Sequence, residues 1–217
     1  SFEDVVLPEL VKKRQLVGYY THHRYYGLSN PARVKNIERY FNPKKVVFLD
    51  RDGVINQKPA PTDYVKKWAE FVFLPQAKKA LKKLCDAGFW LFIVTNQPGV
   101  ARGMMTRRDL EDIHRRMVND TATDGIEIKG IYSCMHGWDE GCFCRKPKPG
   151  LLYRAAAENA VELYDSFLIG DDERDIAAGQ SVGCRTVFIG NQSDLRKNRL
   201  KPDIMARSLS EAVEKIL

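Results

Sequence analysis

From residue 44 onward, short continuous apolar runs alternate with amphipathic segments, and no other feature restricts the fold as much. The runs are Val46–Asp50, Phe89–Val94, Ile126–Ser133, Ser166–Gly170 and Arg185–Ile189. Helical periodicity covers Pro75–Ala87, Thr106–Val118, Gly150–Asn159, Asp172–Ser181 and Ser208–Leu217. Strands that are apolar along their whole length must be covered on both faces. The pattern therefore predicts an α/β fold, a doubly wound and mostly parallel sheet flanked by helices. Local punctuation agrees. Pro75 and Gly88 bracket the first helix, and Thr106 with Asp109, like Ser208 with Glu211, has capping-box spacing.

In such sheets ligands sit beyond the carboxyl ends of the strands, where the winding reverses. Asp50, Thr95 and Asp171 each follow an apolar strand, so three polar side chains converge on one crevice. Asp50-Arg51-Asp52-Gly53 puts two carboxylates on a turn opened by glycine. Asp50 is suited to attack phosphorus and Asp52 to shuttle the proton. Thr95, in Thr95-Asn96-Gln97, offers a hydroxyl to a phosphoryl oxygen. Lys146, in Arg145-Lys146-Pro147-Lys148-Pro149-Gly150, supplies a fixed cation. Gly170-Asp171-Asp172-Glu173-Arg174-Asp175 is an acidic strand end suited to a hard cation. Asp50, the backbone carbonyl of Asp52 and Asp171 would suffice to hold Mg2+ beside phosphate. Phosphoryl transfer needs little beyond in-line positioning and charge neutralisation, which this set provides. Asp172 and Asp175 are read as outer neighbours of the cation, or, for Asp172, as an acid favouring its helix N-terminus.

A second constellation is Cys134-Met135-His136 followed by Cys142-Phe143-Cys144. Three thiolates and an imidazole at this spacing make a closed tetrahedral Zn2+ set, structural in character. It would pin the loop that carries Arg145 and Lys146. Cys85 and Cys184 read as small apolar packers, His114 as solvent-facing, and His22 and His23 as surface residues. Free thiols beside a thiolate metal site imply a reducing, cytoplasmic setting. Residues 53–73 are too long for a simple turn. They read as a small flap in which Tyr64 and Trp68 exclude water, or as a surface hairpin packed by its aromatics.

Charge narrows the partners. The net charge is +7, but residues 46–217 hold 26 Lys/Arg against 24 Asp/Glu, and most of the excess lies in residues 1–45. The part with the chemistry is nearly neutral, which argues against a nucleic-acid stripe and for a small phosphorylated substrate. No apolar run approaches the roughly 20 residues that cross a bilayer. Ser1 stands where an initiator methionine would, which reads as a processing boundary with sequence upstream.

The D-x-D-G pattern after a hydrophobic strand resembles the haloacid-dehalogenase-like (HAD-like) phosphotransferases. Together with Thr95-Asn96-Gln97-Pro98-Gly99-Val100-Ala101-Arg102-Gly103, the C-x-H…C-x-C-R-K-P-x-P-G run and Gly170-Asp171, residues 45 to 217 are similar to the heptose bisphosphate phosphatase family. The resemblance implies an Mg2+-dependent cytoplasmic enzyme with a structural Zn2+. It would remove the 7-phosphate of D-glycero-D-manno-heptose 1,7-bisphosphate in nucleotide-activated heptose synthesis. It also implies Arg51, Asn96, Arg102 and Arg145 at the substrate. Pro98 departs from the family's usual small polar residue. Histidinol-phosphate phosphatases share the first motif and the zinc loop and are the alternative enzyme. A zinc-stabilised binding module without activity is the alternative of another class. Residues 1–43 read as an extension to a phosphatase domain at 44–217. Within it, Ser1–Phe41 resembles the tail of a sugar-1-phosphate nucleotidyltransferase. That implies descent from, or membership of, a fusion with such an enzyme; a plain aromatic-rich extension is the other reading.

Overall fold

Val46–Leu49 (β1) has no solvent exposure at any residue, and the rest of the domain is arranged around it. The computed structural model describes residues 2–15, 34, 38, 42–195 and 200–217. A short helix, α1 (Leu7–Lys12), precedes β1. After it come α2 (Ala77–Asp86), β2 (Trp90–Asn96), α3 (Arg107–Thr123), β3 (Ile128–Cys134) and α4 (Gly150–Asn159). The chain closes with β4 (Ser166–Gly170), α5 (Glu173–Ser181), β5 (Arg185–Ile189), β6 (Ile204–Ala206) and α6 (Leu209–Ile216). The strands form one sheet in the order β3-β2-β1-β4-β5-β6. Every neighbouring pair is parallel, which is the doubly wound sheet expected.

Alternate residues of the central strands feed two cores. Val47, Leu49, Leu91 and Ile93 pack with Leu81 and Leu84 of α2, Ile113 and Met117 of α3 and Val213 of α6. Val46, Phe48, Phe92 and Val94 pack with Leu151, Leu152 and Ala155 of α4 and Ala178 of α5. Winding reverses at β1, which lies between β2 and β4. The crevice therefore opens beyond Leu49 and Gly170.

Boundaries differ from expectation in instructive ways. α2 begins at Ala77 because Gln76 is left-handed, with φ 62°. α3 runs on to Thr123, past the expected Val118, because Thr121 is still buried against the core. β2 continues through Thr95 and Asn96, which pair with Ser133 and Cys134. The box at Thr106 is complete. At Ser208 the hydroxyl accepts from Glu211 N–H, but the Glu211 carboxylate accepts from Arg207 N–H, one residue early. Asp172 caps α5, accepting from Arg174 N–H. β6 was not anticipated.

Residues 53–73 form a two-legged flap. Gln57 N–H donates to Val72 O and Leu74 N–H to Ile55 O. Tyr64 lines the crevice. Trp68 does not: it stacks on Phe71 at 5.0 Å and packs against the core. Its expected part in shielding the crevice is thus corrected to holding the flap's base. Among the described residues no helix is long and apolar enough to cross a membrane. The expectations for His22, His23 and most of Ser1–Phe41 lie outside the described residues.

Candidate active site

The crevice holds a cavity of about 240 Å³ whose walls include Asp50, Asp52, Thr95, Asn96, Arg145, Lys146, Asp171 and Asp175. Parallel strands ending in register bring these residues together, and the turn after β1 sharpens the convergence. Gly53 has φ +91°, and a Cβ there would overlap the Asp171 carboxylate. Only glycine lets the turn and β4 approach this closely.

At the centre is a triad whose lysine and inner carboxylate are buried. Lys146 Nζ is 3.0 Å from Asp50 Oδ1 and 2.5 Å from Asp175 Oδ1, and it donates to Val94 O at 2.7 Å. Burial works against the ammonium, but the two carboxylates outweigh it and hold Lys146 charged. Asp50 Oδ1 also accepts from Arg51 N–H at 2.7 Å. Both contacts fall on Oδ1, so neither engages Oδ2.

Asp52 is held from three sides. Arg51 donates through Nε and Nη2, Asn56 Nδ2 donates at 2.8 Å and Gln97 Nε2 at 2.8 Å. Burial would raise the Asp52 pKa, but the Arg51 charge and these hydrogen bonds bring it below the usual carboxylate range. Thr95 is buried and its hydroxyl accepts from Gln97 Nε2 at 2.9 Å. Its own proton is free for a phosphoryl oxygen.

Arg51 was expected at the substrate, and its position corrects that. It is fully buried and does not line the cavity; its guanidinium is spent on Asp52 and on His114 Nε2 at 3.1 Å. His114, expected to face solvent, is half-buried for the same reason. Burial first, and the Arg51 charge second, push its pKa down to about 3. An unfolded histidine titrates near 6.5. The folded value is the lower one, so the unfolded chain takes up a proton first and stability falls as the pH drops from about 6.5 toward 3. Denaturant titrations across that range should show an acid-side slope in wild type that His114→Gln flattens. Equal slopes would mean the imidazole is not held neutral.

Asn96 lines the cavity, but its side chain is committed to the loop above. Nδ2 donates to Lys146 O and Oδ1 accepts from Lys146 N–H, both at 3.1 Å. Arg102 is exposed. It donates to Tyr64 OH at 3.0 Å and lies 5.1 Å from the Trp138 ring centroid. Arg145 reaches the cavity with its Nη1 buried and lacking a hydrogen-bond partner among the described residues.

Among the described residues, two side-chain clusters could hold metal. Carboxylate oxygens of Asp50, Asp171 and Asp175 lie within 4.8 Å of one another. Burial pushes Asp171 up to about 6 against the pull of Lys58. It also pushes Asp175 up to about 7 against the pull of Lys146, with the Asp50 charge adding to the rise. Such a cluster is short of positive charge. Asp171 Oδ1 is buried without a hydrogen-bond partner, so an all-oxygen set suited to Mg2+ is present. The Asp52 carboxylate is not in this cluster, and Asp175, read from the sequence as an outer neighbour of the cation, is one of its three acids. The second cluster is Cys134, His136, Cys142 and Cys144. Cys134 Sγ is 3.6 Å from Cys142 Sγ, and His136 Nδ1 is 3.1 Å from Cys144 Sγ. A tetrahedral Zn2+ site has ligand–ligand edges of about 3.5–3.8 Å, so the set is close to metal-ready.

Comparison with known proteins bears on this arrangement. A family model described as HAD-hydrolase-like matches residues 143–212. The chain is 37% identical over 153 residues to the D-glycero-beta-D-manno-heptose-1,7-bisphosphate 7-phosphatase of Pseudomonas aeruginosa, spanning 70% of this chain and 85% of that protein. It is 39% identical over 153 residues to the D-glycero-alpha-D-manno-heptose-1,7-bisphosphate 7-phosphatase of Mycobacterium tuberculosis, spanning 68% and 80%. Among solved structures, D,D-heptose 1,7-bisphosphate phosphatase from B. bronchiseptica, complexed with magnesium and phosphate, superimposes with a TM-score of 0.74 at 34% identity. The match covers 79% of this chain and 97% of that one.

Proposed function

The chain belongs to the HAD-like hydrolases, among the relatives of the heptose bisphosphate phosphatases, and from that premise we propose that it hydrolyses the 7-phosphate of D-glycero-D-manno-heptose 1,7-bisphosphate. The product would feed nucleotide-activated heptose synthesis. The observation that carries the chemistry is Asp50, with one oxygen fixed by Arg51 N–H and Lys146 and the other left for phosphorus. The substrate assignment rests on the activity named for the relatives.

In this reading Asp50 Oδ2 attacks the 7-phosphorus and the sugar alkoxide leaves with a proton from Asp52. The Asp52 carboxylate is ionised in the free protein. An arriving phosphate, a like charge, pushes its pKa up so that Asp52 takes up a proton from solvent as substrate binds, and this is the proton it gives to the alkoxide. Asp52 then takes a proton from the water that opens the aspartyl phosphate. Thr95 donates to a phosphoryl oxygen, and Lys146 offsets charge on Asp50 and the phosphate. Mg2+, held by Asp50, Asp171 and the Asp52 backbone carbonyl beside Asp175, would neutralise phosphoryl charge. Zn2+ on Cys134, His136, Cys142 and Cys144 would fix the loop bearing Arg145 and Lys146. Asn96 and Arg51 position Lys146 and Asp52, while Arg102 and Arg145 face the sugar's side. Residues 1–43 serve as an extension to the 44–217 domain, of nucleotidyltransferase descent.

The direct test is phosphate release with Mg2+ from both heptose 1,7-bisphosphate anomers and from histidinol phosphate. Preference for a heptose anomer is expected. Turnover of histidinol phosphate alone would overturn the substrate and keep the chemistry, and no turnover of any would leave the binding-module reading. Arg145→Ala should raise KM for the bisphosphate about 10- to 100-fold with a smaller change in kcat, since a charged hydrogen bond contributes about 1.5–3 kcal/mol. An unchanged KM would remove Arg145 from the substrate site.

A further inference from the structure

Lys58 sits on the flap's first leg, and nothing in its local sequence marks it for the site. Its backbone is nonetheless firmly placed. Asn56 Nδ2 donates both to Asp52 and to Gln57 O, and Gln57 N–H donates to Val72 O across the flap. From this stem the ammonium donates to Asp171 Oδ2 at 2.7 Å. The other oxygen of Asp171 is buried and without a hydrogen-bond partner. A monovalent cation on a half-exposed side chain therefore holds one oxygen of a carboxylate that belongs to a three-acid cluster.

We propose that Lys58 is a resident counter-ion of the acidic cluster that competes with the divalent cation for Asp171. This rests on the reading of Asp171 as a metal ligand. Without metal, Lys58 supplies part of the positive charge that Asp50, Asp171 and Asp175 lack. With metal, the same ammonium withdraws charge from one ligand and repels the incoming ion. Because the coupling is reciprocal, metal weakens the Lys58–Asp171 pair by as much as the pair weakens metal binding, and where the metal fully replaces the pair the affinity lost equals the stability the pair gives the metal-free protein. An ion pair of this exposure is worth at most about 1 kcal/mol, so the effect is modest and measurable.

Calorimetric Mg2+ titration of the full chain tests this without turnover. Lys58→Met should bind Mg2+ roughly three- to fivefold more tightly than wild type, and Lys58→Arg, which keeps the charge on Asp171, should match wild type. Melting supplies the second readout. Lys58→Met should melt lower than wild type without Mg2+ and equal to it at saturating Mg2+, because tighter binding returns the lost stability. A purely structural lysine would lower melting under both conditions. Unchanged or weaker Mg2+ binding in Lys58→Met would overturn the proposal, and weaker binding would assign Lys58 to orienting Asp171 instead. Phosphate release in the same preparations separates the two readings. Altered Mg2+ affinity without heptose bisphosphate hydrolysis sinks the substrate alone, and hydrolysis with unaltered affinity sinks the role of Lys58 alone. A wild type that binds no Mg2+ sinks this proposal together with the metal site.

Discussion

Asp50→Asn is expected to lower phosphate release by about four orders of magnitude or more while leaving the fold intact, because removing a covalent nucleophile takes away the reaction's first bond. The amide is isosteric and can still accept from Arg51 N–H, so the turn keeps its shape. Lys146 loses one charged partner but keeps Asp175 at 2.5 Å and Val94 O at 2.7 Å. Its ammonium is therefore not left buried and unpaired, the situation that makes a broken ion pair severely destabilising. Circular dichroism and melting should stay close to wild type as activity disappears, which assigns the loss to chemistry. A second readout is covalent. Rapid quenching of wild type with labelled bisphosphate should leave acid-stable, hydroxylamine-labile label on the protein, and Asp50→Asn should carry none. Retention of more than a hundredth of wild-type activity by Asp50→Asn would mean that another group attacks phosphorus.

The success of the motif reading and the misplacement of particular residues have one physical origin. Elements that are apolar and sharply punctuated, such as Gly150–Asn159, Ser166–Gly170 and Arg185–Ile189, are legible residue by residue. β6 is three residues long, too short to show a period of two. Asp50, Thr95, Lys146 and Asp171 come together because three of them end strands of one sheet and the fourth is anchored to β2 through Asn96. Side-chain pairing across distant segments leaves no such trace. His114 meets Arg51 over 63 residues and Lys58 meets Asp171 over 113, and nothing in either local stretch announces the partner. Arg51 is a related case: the resemblance implies it at the substrate, whereas side chains alternate in direction and this one turns into the protein. Asp175 is an intermediate case. Its spacing from Asp172 gives the capping box, but capping does not exclude its other oxygen from pairing with Lys146.

Removal of Zn2+ should have the second large effect, acting on the catalytic groups through the loop that carries them. Between the end of β3 at Cys134 and the start of α4 at Gly150 no helix or strand is present. The loop's large side chains contribute little to a core: Trp138 is 64% exposed and Phe143 60%. Its internal hydrogen bonds are few, among them Lys148 Nζ to Gly141 O and Gly150 N–H to Phe143 O. A segment with so little apolar burial does not offset the entropy of ordering it; Lys146 is tied to Asn96, Asp50 and Asp175, and metal on the four clustered side chains is expected to fix the rest. Arg145 and Lys146 follow Cys144 directly, and displacement by even about 1 Å at such groups costs on the order of 100-fold in rate. The expected results are one zinc per chain by elemental analysis and its loss in Cys142→Ser. The variant should melt about 6–12 °C lower if the site contributes about 3 kcal/mol to a domain of this size. Activity in Cys142→Ser should fall much further than the folded fraction at the assay temperature, because the sheet survives while Lys146 is no longer held against Asp50. Because chelation removes the catalytic cation as well, activity should stay low after Mg2+ is restored and return only when Zn2+ is added too. A zinc-free preparation with full activity, or a Cys142→Ser variant that melts and turns over as wild type does, would show that the loop is held by its protein contacts alone.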